Sequence, residues 1–310
     1  MILRTFASQM PPVLLVAGSV LMGCTATSEL LQERDPEPVA SNVRMELGRD
    51  AGCAIDAERN VDCWFGAWGI PENVPSGSYD ALSVGAYVAC AHQLDGEWVC
   101  WGDDYYGIFE DPPDGWSTAS VLSVGQRTAC ALDADGAPTC WGDQAQDVAS
   151  LSPPDVNLTE VVAAMGPSCG VDVDGQLVCW GGWADYSDLA VEAPTTGSFH
   201  SLSGRGSHLC ALFSDTSVPV CWGFDFSGEV NLVTDQPVAA LTAGSGLTTC
   251  WINLDGSSQC VGELSDDHSH RVDDSLFWPE EGSAVSIGAS AGGQCVLTDA
   301  DTIECWSGPP

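Results

Sequence analysis

The 310-residue sequence has no lysine and only eight arginines, set against 44 aspartates and glutamates, for a formal net charge of −36. Nucleic-acid binding needs a basic footprint, so a polyanionic partner is excluded. Charged residues make up only 17% of the chain and no helical period is sustained, which argues against a long-helix or coiled-coil protein. Beyond residue 24 no apolar run is long enough to span a bilayer. Motifs of catalysis are also missing. There is no Gly-x-Ser-x-Gly elbow, no His-Glu-x-x-His and no phosphate-binding glycine loop, so any catalytic triad would have to be assembled from separate parts of the chain. A non-enzymatic protein without a cofactor is expected. What the sequence does hold is 34 Gly, 18 Pro and 12 Trp in a chain that is 45% apolar, the composition of a turn-rich β protein with a sizeable core.

The first 23 residues read as an export signal. Arg4 gives a weakly basic start, Val13 to Met22 is a ten-residue apolar stretch, and Leu21-Met22-Gly23-Cys24 follows. That ending resembles a bacterial lipobox, which implies cleavage before Cys24 and lipidation of its thiol. The alternative is an ordinary signal peptide followed by a chance cysteine. Cysteine parity favours lipidation, because setting Cys24 aside leaves an even fourteen of the 15. The expected mature protein is tied to a membrane of the bacterial envelope through its lipid alone, with residues 24–42 as a tether.

The fourteen remaining cysteines form seven close pairs: Cys53/Cys63, Cys90/Cys100, Cys130/Cys140, Cys169/Cys179, Cys210/Cys221, Cys250/Cys260 and Cys295/Cys305. Their first members are 37 to 45 residues apart, an internal repeat of about forty residues over 43–310 that makes the mature chain one domain. Each repeat places two short apolar runs around a turn such as Leu94-Asp95-Gly96, a β-hairpin signal. A three-residue loop with a glycine bulge pairs residues symmetrically about Asp95, so Gln93 meets Glu97 and Cys90 meets Cys100. Counting ladder steps puts the cysteines at a non-hydrogen-bonded pair, with Cα atoms about 4.5 Å apart, at the short end of disulfide geometry. In the fifth repeat Ser214 to Pro219 offers a longer loop to absorb one extra residue. Zinc sites want cysteines two to four residues apart, so seven disulfides in an exported chain are the better reading.

Cys-Ala-Leu, Asp-Gly and Cys-Trp-Gly at this period resemble the RCC1-type repeat, in its shorter bacterial form seen in β-lactamase-inhibitor propellers. Trp-Gly recurs at Trp101-Gly102, Trp141-Gly142, Trp180-Gly181 and Trp222-Gly223, while the sixth repeat has Val261-Gly262 instead. His208 matches a histidine common in such repeats that the other six copies lack. The resemblance implies an all-β, seven-bladed propeller with one disulfide per blade. Short strands stacked around an axis would bury faces too small to be buried alone. A Pro-containing segment trails six of the hairpins but not the seventh. The last blade is thus expected to be one strand short, with Glu29 to Pro38, which is similar to Glu229 to Pro237, closing the ring.

Three groups of residues are candidate sites. Asp133-x-Asp135-Gly136 and Asp172-x-Asp174-Gly175 resemble pieces of a calcium loop, although aspartate and glycine also suit a tight turn. His268 and His270, among four carboxylates in the longest repeat interval, are weak metal candidates against a reading as a solvated loop. Tyr105, Tyr106, Trp183, Tyr186, Phe224 and Phe226 follow the Trp-Gly positions among carboxylates, where they would form either a partner-binding ring or inter-blade packing.

These readings describe a monomeric, lipid-anchored propeller that binds a protein partner, a basic one being favoured by the charge, and carries no nucleic acid. Inhibition of a secreted or cell-wall enzyme is a special case of this. The rival readings are a structural or stress-related acidic surface protein without a dedicated partner, and a hydrolase using blade-top carboxylates.

Overall fold

Each forty-residue repeat folds into one sheet of three antiparallel strands, and seven such sheets follow one another along the chain. The computed structural model describes residues 45–49, 51–64, 70, 72–143, 153–165, 167–181, 192–226, 228–231, 233–263, 277–290 and 293–306. Blade 1 holds β1 (Met45–Leu47), β2 (Gly52–Ile55) and β3 (Val61–Trp64), and blade 2 holds β4 (Tyr79–Val84), β5 (Val88–Gln93) and β6 (Trp98–Gly102). Blade 3 consists of β7 (Val121–Val124), β8 (Thr128–Leu132) and β9 (Pro138–Gly142). Blade 4 follows with β10 (Leu158–Ala163), β11 (Pro167–Asp172) and β12 (Leu177–Gly181). Blade 5 has β13 (Phe199–Ser203), β14 (His208–Phe213) and β15 (Pro219–Gly223), and blade 6 has β16 (Val238–Ala243), β17 (Leu247–Asn253) and β18 (Ser258–Glu263). Blade 7 ends the series with β19 (Ala284–Ser290), β20 (Gly293–Thr298) and β21 (Ile303–Trp306).

The hairpin register is the one that loop symmetry predicts. Gln93 N–H donates to Glu97 O at 2.7 Å, Gly96 takes φ +98°, and Cys90 stands opposite Cys100. The same facing positions of the second and third strands are bridged in every blade, as Cys53–Cys63, Cys90–Cys100, Cys130–Cys140, Cys169–Cys179, Cys210–Cys221, Cys250–Cys260 and Cys295–Cys305. Their Cα atoms stand 4.0 to 4.1 Å apart. That is closer than the roughly 4.5 Å expected of an unbridged facing pair, because the crosslink draws the two strands together. In blade 5 the extra residue is absorbed in Ser214–Ser217, closed by Phe213 N–H to Val218 O at 3.0 Å.

The two members of a pair differ in burial, which sequence spacing does not reveal. The first cysteine of each pair lies on the middle strand and is buried in all seven blades. The second lies on the third strand, an edge of its sheet. There Cys140 and Cys260 are buried, Cys63, Cys100, Cys179 and Cys221 are half-buried, and Cys305 in the last blade is exposed. Asp133 and Asp172 serve their turns, each accepting two backbone N–H bonds of 2.8 to 2.9 Å, which is the turn reading of those sequences.

The core lies in the seams between blades. Leu82, Val84 and Trp101 pack with Cys53 and Ile55 across the first seam, and the last seam joins Met45, Leu47 and Ala54 to Cys295 and Leu297. Blade 7 therefore closes directly onto blade 1. Side-chain oxygens sew four of the seams near the axis, where the residue facing the first cysteine of blades 1, 2, 3 and 5 accepts a backbone N–H from the next blade. Ser83 Oγ takes Val124 N–H, Ser123 takes Ala163 N–H and Ser203 takes Ala243 N–H, at 2.9 to 3.0 Å. Glu46 fills the same position in blade 1 and accepts Val84 N–H at 3.1 Å.

The expectation of a short last blade takes another form. Among the described residues each sheet has three strands, and of the trailing segments Phe277 makes one antiparallel bridge to Ser258 of β18, with bonds of 2.8 and 2.9 Å, while others supply acceptors. Trp101 Nε1 donates to Ile70 O and Trp141 Nε1 to Ile108 O, at 2.8 and 2.7 Å, each carbonyl belonging to the segment that trails the preceding blade. The buried indole N–H groups of Trp64, Trp180 and Trp222 have no acceptor among the described residues. Glu29 to Pro38 lies outside the described residues. In blades 2 and 3 the glycine after the tryptophan is needed for its conformation: Gly102 and Gly142 adopt φ +114° and +129°, and a Cβ there would strike the carbonyl of Tyr87 or Arg127.

Candidate functional site

The first strands of the seven blades surround an axial cavity of about 460 Å³. Arg205, in the turn after β13, reaches across it. Its Nη2 lies 2.5 Å from Glu46 Oε2, and its Nη1 donates to Val124 O at 3.1 Å and also to Val84 O. One guanidinium thus ties blade 5 to blades 1, 2 and 3 in place of presenting a free cation to a ligand. Glu160, the other carboxylate of the cavity wall, accepts Ser201 and Leu202 N–H at 3.0 and 2.7 Å. Among the described residues no cluster of histidine, cysteine, aspartate and glutamate could hold a metal ion.

The aromatic residues form a second candidate, with an unexpected scaffold. In the connection after β6, Asp104 accepts the backbone N–H groups of Ile108, Phe109 and Glu110, which curls the loop around its carboxylate. Tyr105 is left standing in solvent at 78% exposure. Tyr106 is half-buried beneath it, edge-on to Tyr105 at 4.9 Å and tilted against Tyr87 at 5.7 Å, with the Arg127 guanidinium 5.4 Å over its ring. Burial raises the Tyr106 pKa and Arg127 opposes the rise.

Blade 5 repeats the device. Asp225 stands three residues after Trp222, as Asp104 stands three after Trp101. It accepts Val230 N–H at 3.1 Å and the Asn231 side-chain amide. Phe226, at the position of Tyr105, is 60% exposed and stacks on half-buried Phe224 at 5.4 Å. Both loops begin on the same side of their sheets: Asp103 N–H bonds to Tyr87 O and Phe224 N–H to Ser207 O, each in the turn that leads into the second strand.

The six aromatics expected at this site therefore divide. Tyr105 and Phe226 are surface groups, Tyr106 and Phe224 are the bases they rest on, and Trp183 and Tyr186 lie outside the described residues. Their companion carboxylates have a structural role as well, since half-buried Asp104 holds three backbone N–H groups, and Asp225, which stays exposed, holds one backbone N–H and the Asn231 amide. Trp98, another aromatic outside the repeated slot, is buried and donates to Ala119 O at 2.9 Å. Cys24, His268 and His270 also lie outside the described residues. Sequence reading missed the brace, although the shared three-residue offset from tryptophan carried its signal.

Beneath the Phe226 loop is a buried polar group that the equivalent place in blade 2 lacks. Val88, Ile108 and Ala129 pack together under the Tyr105 loop, whereas His208, Glu229 and Thr249 occupy those positions under the Phe226 loop. His208, Glu229 and Thr249 are each fully buried. His208 Nε2 lies 2.8 Å from Thr249 Oγ1, and the Thr249 hydroxyl donates to Glu229 O at 2.6 Å. Burial lowers the His208 pKa to about 4, and nearby Asp225 raises it in partial compensation. The departure at Val261 explains the exchange, because blade 6 has no tryptophan indole to donate to the Glu229 carbonyl and Thr249 does so instead.

No protein-family model matches the chain, and no curated protein matches it by sequence. Solved structures match its fold. The ectodomain of the Physcomitrella patens receptor kinase CR4 shares 21% identity over 87% of this chain and 73% of its own, with a TM-score of 0.67. The CRINKLY WD40 ectodomain of the Arabidopsis thaliana receptor kinase ACR4 shares 18% over 86% and 94%, with a TM-score of 0.68. Yeast RCC1 (Prp20), solved bound to Kap60, shares 14% over 83% and 81%, with a TM-score of 0.64. At these identities the likeness is one of fold, and the chain is an all-β, seven-bladed propeller of the RCC1-like kind.

Proposed function

We propose that this chain is an exported, lipid-anchored propeller that binds a protein partner and performs no chemistry of its own. The observation that carries the reading is the pair of equivalent loops in blades 2 and 5, each braced from within by an aspartate and each holding one aromatic ring in solvent. Exposing a large apolar ring is unfavourable in water, and a preorganised aromatic is the kind of anchor that dominates protein interfaces. Propellers of this fold serve that purpose elsewhere, as yeast Prp20 binds Kap60, Gsp1p and histones. The leader ending at Cys24 and the seven disulfides support an oxidising, extracytoplasmic location.

The net charge of −36 favours a basic partner, which it would steer at low ionic strength. A soluble Cys24→Ser bait, cross-linked in native envelope and culture fractions at two salt concentrations, tests this. One stoichiometric protein, depleted at high salt, is the expected capture. Recovery of nothing above background at either salt concentration would overturn the binding reading.

A further inference from the structure

We infer that acid opens the Phe226 loop of blade 5 while leaving its counterpart in blade 2 closed, with His208 as the proton acceptor that makes the difference. The inference rests on the reading of Phe226 as a partner contact, and gives that contact a pH dependence that Tyr105 does not share.

The hydrogen-bond chain fixes the tautomer. The single Thr249 hydroxyl proton is directed at Glu229 O, so Oγ1 can only accept from His208, and Nε2 must carry the imidazole proton. Nδ1 is then the bare nitrogen, buried and without a partner among the described residues. A proton added there creates a buried cationic donor with no acceptor in reach. Two routes relieve it, and both disturb the same loop. The ring can swing toward Asp225, the carboxylate that braces the loop, or it can leave Thr249 and release the Glu229 carbonyl. Glu229 is tied to the exposed ring in its own right, since its Oε1 accepts Phe226 N–H at 3.0 Å.

One other proton acceptor faces the loop, the fully buried Glu229 carboxylate that holds Phe226 N–H and has no counterpart in blade 2. The neighbouring strand β17 (Leu247–Asn253) has no ionisable side chain. Glu263, at the end of β18, meets Thr248 through its carbonyl, which accepts the Thr248 hydroxyl at 2.6 Å. Arg205, three residues before His208, is directed at Glu46, and His200 at the start of β13 bonds to Ser201 at 2.8 Å. In blade 2 the equivalent positions are Val88, Ile108 and Ala129, none of which can take a proton.

The sign follows from the lowered affinity of the closed loop for a proton. Closure is complete above the ordinary histidine range, near pH 6.5, and is lost as the pH falls through that range toward the folded value of about 4. A histidine that regains its ordinary affinity on opening changes the opening equilibrium on the order of 30-fold between pH 7.5 and pH 5.

Hydrogen–deuterium exchange on the intact protein, corrected for intrinsic exchange rates at each pH, reads this directly. The expected result is a roughly 30-fold loss of protection at the amides of Phe226 and Val230 by pH 5, with Ile108, Phe109 and Glu110 unchanged. The blade 2 loop is the internal control for the bracing aspartate, because Asp104 would respond to protonation just as Asp225 would, while Glu229, which blade 2 lacks, is separated by substitution. Equal loss in both loops assigns the effect to carboxylates and overturns the inference, as does protection that is unchanged in both. His208→Gln, which keeps a donor toward Thr249 but cannot titrate near neutrality, should abolish the difference, and persistence of the difference would also overturn it. Glu229→Gln, which keeps an acceptor for Phe226 N–H and cannot titrate, should retain the difference, and its disappearance there would assign the effect to Glu229 and overturn the inference. No partner enters the measurement, so its failure leaves the binding reading intact.

Discussion

Repetition lets single residues be judged against their own counterparts. Trp101 and Trp141 each donate an indole N–H to the segment trailing the blade before them, at the slot where blade 6 carries Val261. The tryptophan signature was therefore legible as a repeat, but its partner was not, since Ile70 and Ile108 accept through backbone carbonyls that no side-chain pattern marks. Trp101→Phe removes the bond and leaves Ile70 O buried without its donor. We expect a loss of about 1–2 kcal/mol, read as a lower denaturation midpoint with an unchanged slope. An unchanged midpoint would show that the indole acts through packing alone. Asp104 teaches the opposite lesson about legibility. A carboxylate beside two tyrosines reads as surface charge, and only the loop's path shows it occupied by three backbone donors.

At the scale of the element, the hairpin is the most legible feature. A symmetric loop about Asp95 fixes which residues face each other, so the register of β5 and β6 and the pairing of their cysteines follow from counting. The bonds that hold one blade to the next do not follow in this way. Ser83, Ser123 and Ser203 recur at one position, yet their partners lie 40 or 41 residues away on the next sheet. Each disulfide closes a ten- or eleven-residue step within a single blade and so stiffens that hairpin without tying blades together. The double variant Cys130→Ala, Cys140→Ala should lose on the order of 2–3 kcal/mol and still form the ring. Its far-ultraviolet spectrum should match the wild type at a lower melting temperature. Loss of β structure at room temperature would show instead that the crosslinks are needed for the ring to form.

For the whole molecule, the repeat period made the seven-bladed architecture legible, because seven units that cannot bury their own faces must stack and close. How the ring is held at its centre was hidden. Arg205 sits in a glycine-flanked turn that reads as an ordinary loop, and its partners Glu46, Val84 and Val124 are 159, 121 and 81 residues away. Arg205→Met keeps the stem and removes the guanidinium that joins four blades. A fall in stability of about 2 kcal/mol is expected, which corresponds to a melting temperature lower by several degrees. No change on calorimetry would mean that the axial clasp contributes nothing beyond the seams.

Protein binding through the two braced loops is the claim on which the functional account depends. The most direct test compares capture by three soluble baits: the Cys24→Ser protein, the same protein with Tyr105→Ala and Phe226→Ala, and the same protein with Val173→Ser and Leu254→Ser. Val173 and Leu254 are also exposed apolar side chains, 70% and 72% accessible, but they sit on hairpin tips at the opposite ends of the strands. The account predicts a partner captured by the first and third baits and lost from the second, with all three melting alike. A partner retained by the second bait, or lost equally from the second and third, would contradict it.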